Sequence, residues 1–144
     1  MDEDDLSNLP STFYRVSVKA LIFDDQRRVL VFRDDQDAWE MPGGGWDNDE
    51  TLEQCVAREL TEEMQVKPTN IGPIRFVYKH LYPERGFHKL FIAVPVQVDT
   101  TEFSPVEDEL VEAVFVAKED FVNLNWQSAE GGIVYCIDQI WPAD

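Results

Sequence analysis

PGGGWDNDETLEQCVARELTEEMQV, residues 42–66, joins a run of glycines to a helical pattern dense in acid. Leu52, Val56, Leu60 and Met64 recur every four residues with Ala57 beside them, which is the spacing of a buried helical stripe. Thr51 opens that helix, and Pro68 marks its latest end. With 3.6 residues per turn, Glu59, Glu62 and Glu63 project together within about 100° of arc, beside the apolar stripe. Arg58 is the sole cation of the stretch. Like charges three or four apart each cost a few tenths of a kcal/mol. The cluster is therefore either a solvated acidic face or a cradle for hard divalent cations, which prefer oxygen ligands. Gly43, Gly44 and Gly45 favour the cradle. Glycine lets a backbone carbonyl or amide approach a ligand closely, and an ordinary tight turn accounts for one or two glycines better than for three.

The rest of the chain bounds what such a site can serve. Its 144 residues suit one domain, expected over 13–144 and preceded by an acidic, turn-rich tail at 1–12. A net charge of -17 argues against nucleic-acid polymers and acidic membranes as partners. It does not exclude a small phosphorylated ligand, because a bound cation reverses the local sign. Cys55 and Cys136 are far apart in sequence and are expected to be buried, reduced thiols. The first residues, MDEDDLSNLP, are acidic where a secretory signal is basic and then apolar. No apolar run approaches the ~20 residues of a membrane helix. The expectation is a cytoplasmic protein.

VSVKALIF (16–23) and RVLVFR (28–33) read as strands joined by a turn short enough for a hairpin. Residues 33–45 read as a loop. IRFVYKHLY (74–82) and HKLFIAVPVQV (88–98) read as a second hairpin, with Pro95 suggesting an edge or a bulge. An acidic loop (99–112) precedes a strand at 113–117, a short helix at 118–124 and a final helix over 128–141. Strands, helix, strands, helix is the order of a mixed sheet with helices on both faces.

Loop and helix together resemble the Nudix box, G-x5-E-x7-R-E-U-x-E-E-x-G-U with U apolar. Gly44 is followed after five residues by Glu50, and seven more lead to Arg58-Glu59-Leu60-Thr61-Glu62-Glu63-Met64-Gln65-Val66. Every fixed position matches except the last glycine, here Gln65. The resemblance implies an α/β/α sandwich of the α+β type. It also implies a hydrolase that uses Mg²⁺ or Mn²⁺ to cleave the pyrophosphate of a nucleoside diphosphate linked to another group. By position, Glu59, Glu62 and Glu63 are the implied metal ligands, and the Gly44 region offers a backbone carbonyl from Gly43, Gly44 or Gly45. Arg58 and Glu50 are implied as an orienting pair. The general base is a box glutamate, Glu62 or Glu59, or a later acid among Glu107, Glu109 and Glu112, of which Glu112 sits where the family often has a glutamate. Family members are often dimers, so a homodimer is a further expectation. The family glycine at Gln65 serves a left-handed residue that ends the helix. A non-glycine there costs on the order of 1 kcal/mol, or the helix runs on towards Pro68.

For substrate, Arg33 is the first candidate phosphate partner, with Arg85 and His88 behind it. Trp46, Tyr82, Phe87 and Trp126 are candidate platforms for a nucleobase. A small nucleotide is the expected ligand. The competing reading is a nucleotide-binding sensor that kept the fold and lost turnover; the complete glutamate set argues against it.

Overall fold

The computed structural model describes residues 13–82, 87–100, 102–106, 108–127 and 131–142. The acidic tail, Glu107, Arg85 and the side chains of Tyr82 and Phe87 lie outside the described residues. β1 (Phe13–Leu21) runs parallel to β7 (Phe87–Val98), some seventy residues later in the chain. On its other edge β1 takes β4 (Gly43–Gly45) antiparallel. The far edge of β7 carries β6 (Phe76–Tyr82) and then β5 (Pro68–Ile71), both antiparallel. A second, antiparallel sheet has the order β3–β2–β8, with β2 at Val29–Asp34, β3 at Trp39–Glu40 and β8 at Leu110–Val116. The expected mixed sheet is thus present, but the strands divide into a mixed and an antiparallel sheet.

α1 (Leu52–Met64) packs on one face of this framework. Its stripe is Cys55, Val56, Leu60 and Met64, with Leu52 half-buried, so Cys55 takes the place expected of Ala57. These side chains cluster with Val18 and Ala20 of β1, Ile22 just beyond it, Ile92 and Val94 of β7, and Leu30 and Phe32 of β2. The alternate residues Leu21, Val29, Val31 and Ala93 face a second cluster. It is closed by α2 (Lys118–Phe121), the 3₁₀ turn η1 (Gly131–Cys136) and α3 (Ile137–Ile140). Both faces of β2 over Val29–Phe32 and of the second half of β1 are buried, which is why these stretches read as largely apolar runs.

Several expectations need correction. The β1–β2 hairpin survives only at its base, through the Phe23–Val29 bridge and the Leu30 N–H donating to the Ile22 carbonyl at 2.9 Å. Beyond it the strands enter different sheets, because each has its own core to cover. The β6–β7 hairpin forms as expected, but Pro95 sits within a central strand. Its carbonyl accepts from Gly72 N–H between the ends of β6 and β5, so the missing N–H falls in the gap between those two partners. The glycine run is a short strand and not a loop. β8 starts before residue 113, which places Glu112 within a strand. Of the final helix expected over 128–141, residues 128–130 lie outside the described residues, and the rest is a 3₁₀ turn over Gly131–Cys136 followed by an α-helical turn over Ile137–Ile140. Cys55 and Cys136 are both free and buried, as expected. Among the described residues no helix is long and apolar enough to cross a membrane.

The ends of α1 follow its sequence. Thr51 Oγ1 accepts from Gln54 N–H at 3.1 Å, and the Gln54 side chain accepts from Thr51 N–H at 2.8 Å. This reciprocal cap is worth about 1 kcal/mol. At the other end Gln65 adopts φ 56 and ψ 38, the left-handed conformation, so the helix stops at Met64 and does not continue to Pro68. Replacing Gln65 with Gly should raise the stability of the protein by about 0.5–1 kcal/mol, read as a higher urea midpoint at unchanged slope.

Candidate functional site

The pairing of β4 with β1 sets the glycine loop against α1. Gly43 lies at φ 122, and a Cβ there would sit 2.0 Å from the Val18 carbonyl oxygen. Only glycine fits. A Cβ on Gly44 would meet the Glu59 carboxyl atoms at 2.6 Å, so the missing side chain is the space in which that carboxylate sits. Gly45 faces open space but lends its carbonyl to Arg58 Nη2 at 2.7 Å.

Arg58 ties loop to helix. Its Nε and Nη2 donate to the two oxygens of Glu50 at 3.0 and 2.8 Å, the bidentate geometry that suits guanidinium and carboxylate. Its Nη1 reaches Glu59 Oε1 at 2.9 Å and Glu62 at 3.3 Å. The Arg58 guanidinium holds the Glu50 carboxyl down at about 2. In return, the hydrogen bonds from Glu50 and Glu59 push the guanidinium further above its ordinary range. The expected Arg58–Glu50 pair is therefore formed. A lysine cannot reproduce the fork, so Arg58→Lys should lower kcat at least tenfold and lower the thermal midpoint, measured by steady-state kinetics and calorimetry.

The three glutamates differ in environment. Glu62 is half-exposed. Glu59 is largely buried; burial raises its carboxyl above the ordinary value, against the lowering pull of Arg58. Glu63 is 2% exposed and accepts from Gly43 N–H at 2.8 Å. Burial pushes its carboxyl up to about 9, opposed by the Lys19 charge and the Gly43 hydrogen bond and assisted by Glu40 and Glu59.

Lys19 was missed by the sequence reading. It is 5% exposed, pairs in register with Gly43 and donates to the Met41 carbonyl at 3.2 Å. The available signal was a lysine set between Val18 and Ala20 in the most buried part of the strand.

Other candidates are placed elsewhere. Arg33 and Glu112 are cross-strand partners, with Nε donating to Oε2 at 2.7 Å, and Arg33 also binds Asp37 at 2.8 Å. Their register puts them on the face shared by Val31 and Val114, away from α1. Trp46 packs against the α1 core and spends its indole N–H on the Glu50 carbonyl at 2.8 Å. Trp126 packs on Phe121 with centroids 4.5 Å apart and donates to the Phe121 carbonyl, so it is a core residue.

Glu59, Glu62 and Glu63 are hard oxygen donors on one side of α1, and a buried carboxylate held off its charge is one that a cation would stabilise. The chemistry of this donor set suits a hard divalent cation. Among the described residues no three acidic, histidine or cysteine side chains are gathered as ligands, because Arg58 draws on Glu59 and Glu62 while Gly43 N–H holds Glu63.

A family model described as the NUDIX domain matches residues 13–134. An RNA pyrophosphohydrolase of Histophilus somni is 40% identical over 68 residues, covering 46% of this chain and 35% of that protein. Nudix hydrolase 5 of Arabidopsis thaliana is 21% identical over 136 residues, covering 90% of this chain and 45% of that protein. The chain thus spans less than half the length of these relatives. The ORF135 protein of E. coli has a TM-score of 0.71 at 23% identity, covering 94% of this chain and 99% of that one. The MutT protein of Methanosarcina mazei Go1 has a TM-score of 0.71 at 22% identity, covering 94% and 100%. These structures share the fold. The family match runs from β1 into η1 and includes the glycine loop and glutamate helix whose geometry is described above: the chain belongs to the NUDIX domain family.

Proposed function

We propose that this chain is a divalent-metal-dependent pyrophosphohydrolase acting on a nucleoside diphosphate linked to another group. The observation that carries this reading is the Glu59–Glu62–Glu63 ridge, with Glu63 buried against the glycine loop and the loop tied to α1 through Arg58 and Glu50. Glu59, Glu62 and Glu63, with a carbonyl of the Gly43–Gly45 run, would hold Mg²⁺ or Mn²⁺. A bound divalent cation supplies charge neutralisation on the phosphate oxygens and acidifies a water. The chain's own residues do the rest. Gly43 and Gly44 keep the cradle free of side chains. Glu50 fixes the Arg58 fork, which orients Glu59 and Glu62. Glu62 is the most accessible carboxylate of the ridge and, with Glu59, is the favoured acceptor of the water proton. Glu112, paired with Arg33, is the less favoured base.

Several relatives carry the name RNA pyrophosphohydrolase. A net charge of -17 repels a polyanion, which favours a small nucleotide, in a reducing cytoplasm that suits the two free thiols. A hydrolysis screen with Mg²⁺ over nucleoside triphosphates, nucleotide sugars, ADP-ribose, dinucleoside polyphosphates and 5′-triphosphorylated RNA tests both points. Chelator-sensitive release of a nucleoside monophosphate from a small substrate is expected. Nucleotide binding without any product would instead identify a sensor.

A further inference from the structure

β1 and β7 run parallel and in register as far as Leu21–Pro95. Past that pair they part. Ile22 gives its carbonyl to Leu30 N–H at 2.9 Å and Phe23 bridges Val29, so the chain after β1 turns to the second sheet. β7 runs on to Val98 with β5 on its other edge. A cavity of about 1000 Å³ opens where they part, walled by residues 21–25 on one side and 95–98 on the other, with Phe115 of β8 also lining it. In open sheets, ligands bind in the crevice outside the carboxyl ends of parallel strands that part, and this volume lies within the range of small-molecule sites. None of its described lining residues belongs to α1 or to Gly43–Gly45, so the cavity is separate from the glutamate ridge.

The lining chemistry selects the ligand. Asn70 of β5 and Gln97 of β7 are exposed cross-strand partners, so two amides stand side by side at the cavity. The register shift between Pro68 and Asn70 is a bulge, a device that re-aims side chains. Each amide offers a donor and an acceptor together, the pattern that pairs with the amino and ring-nitrogen edge of adenine. Phe23 and Phe115 supply aromatic surface for a planar ring. The charges argue against phosphate. Arg28 is the cation among the described lining residues, and its Nε donates to Asp24 Oδ2 at 2.7 Å. Asp24 Oδ1 accepts from the Gln26 and Arg28 N–H groups at 3.0 and 2.8 Å. With that pair neutralised, the exposed Asp25 leaves the lining net negative. A carboxylate there accepts from sugar hydroxyls and repels a phosphate.

We infer that this cleft is a second binding site, for an adenine nucleoside that carries no phosphate. Asn70 and Gln97 face the base edge, and Asp25 accepts from the ribose hydroxyls. The cleft disfavours the phosphates that the glutamate ridge is built to hold, so the two sites take different molecules. The inference does not depend on the proposed activity.

Adenosine, titrated in EDTA and followed by amide NMR shifts, probes the cleft without metal or turnover. Saturable shifts are expected at residues 21–25, 69–72 and 96–98. Adenosine 5′-monophosphate, which adds the phosphate, and uridine, which lacks the adenine edge, should each bind there at least threefold more weakly. N70A/Q97A, at two exposed positions, should weaken adenosine binding at least tenfold. Should that double variant lose its dispersed spectrum, Q97A alone should weaken binding at least threefold. Shifts confined to residues 43–45 and α1, unsaturable shifts, the monophosphate or uridine bound in the cleft as tightly as adenosine, or an affinity unchanged by Q97A would overturn the inference. Failure of the hydrolysis screen alone would leave the adenosine titration intact and strike only the proposed activity.

Discussion

Glu63→Gln is expected to lower kcat at least a hundredfold while making the metal-free protein more stable at pH 8. The loss of turnover corresponds to about 2.7 kcal/mol of transition-state stabilisation. It follows from removing a charged oxygen donor from the ridge while keeping shape and the acceptor for Gly43 N–H. The gain in stability follows from burial. Glu63 is 2% exposed, and its carboxyl is pushed from an ordinary 4.5 to about 9, so the folded, metal-free protein retains a proton there that the unfolded chain releases. Where the native state binds more protons, stability falls as pH rises. The metal-free protein should therefore lose stability between about pH 5 and 9, and Glu63→Gln should flatten that slope. Each unit of displacement is worth ~1.4 kcal/mol and structural relaxation absorbs part of it, so a gain on the order of 2 kcal/mol is expected at pH 8. Urea unfolding in EDTA across this range measures it. For the same reason cation uptake by the wild type should release a proton and strengthen as pH rises towards 9.

The second large effect concerns the backbone. Gly43→Ala should destabilise the protein by more than ~3 kcal/mol, because φ 122 strains any L residue and the new Cβ would meet the Val18 carbonyl at 2.0 Å. That oxygen belongs to the β1 main chain, and β1 is held on its other edge along its whole length by β7, so it cannot yield cheaply. Gly45→Ala is the control: nothing lies within 4 Å of its added Cβ, and a change within about 0.5 kcal/mol is expected. Urea midpoints of the two variants distinguish a loop built around one obligatory glycine from one that merely tolerates three.

What the sequence revealed, and what it hid, follows the range of each interaction. α1 was legible because its cap, its apolar stripe and its acid ridge are all local, within three or four residues. The family pattern was legible for the same reason, since the Arg58–Glu50 pair spans only eight residues. The parallel pairing of β1 with β7 was not, because no local signal marks which distant strand a buried strand will join. Pro95 was misplaced as a consequence: an edge is the usual way to lose a donor, and a gap between two successive partners is visible only once β5 and β6 are placed. Arg33 and Glu112 looked like separate candidates for phosphate and base until the β2–β8 register brought them 2.7 Å apart. Trp46 and Trp126 looked like platforms until their indole N–H groups found backbone carbonyls. Lys19 escaped notice because its meaning depends on the loop it pairs with and the carboxylates beyond it.

Calorimetric titration of Mn²⁺ into the metal-free protein, with and without a nucleotide, tests the carboxylate cradle most directly. Saturable uptake by the wild type, lost in Glu59→Gln and Glu63→Gln variants that remain folded, is the predicted result. No uptake at millimolar Mn²⁺ in either condition, or equal uptake by those variants, would contradict it.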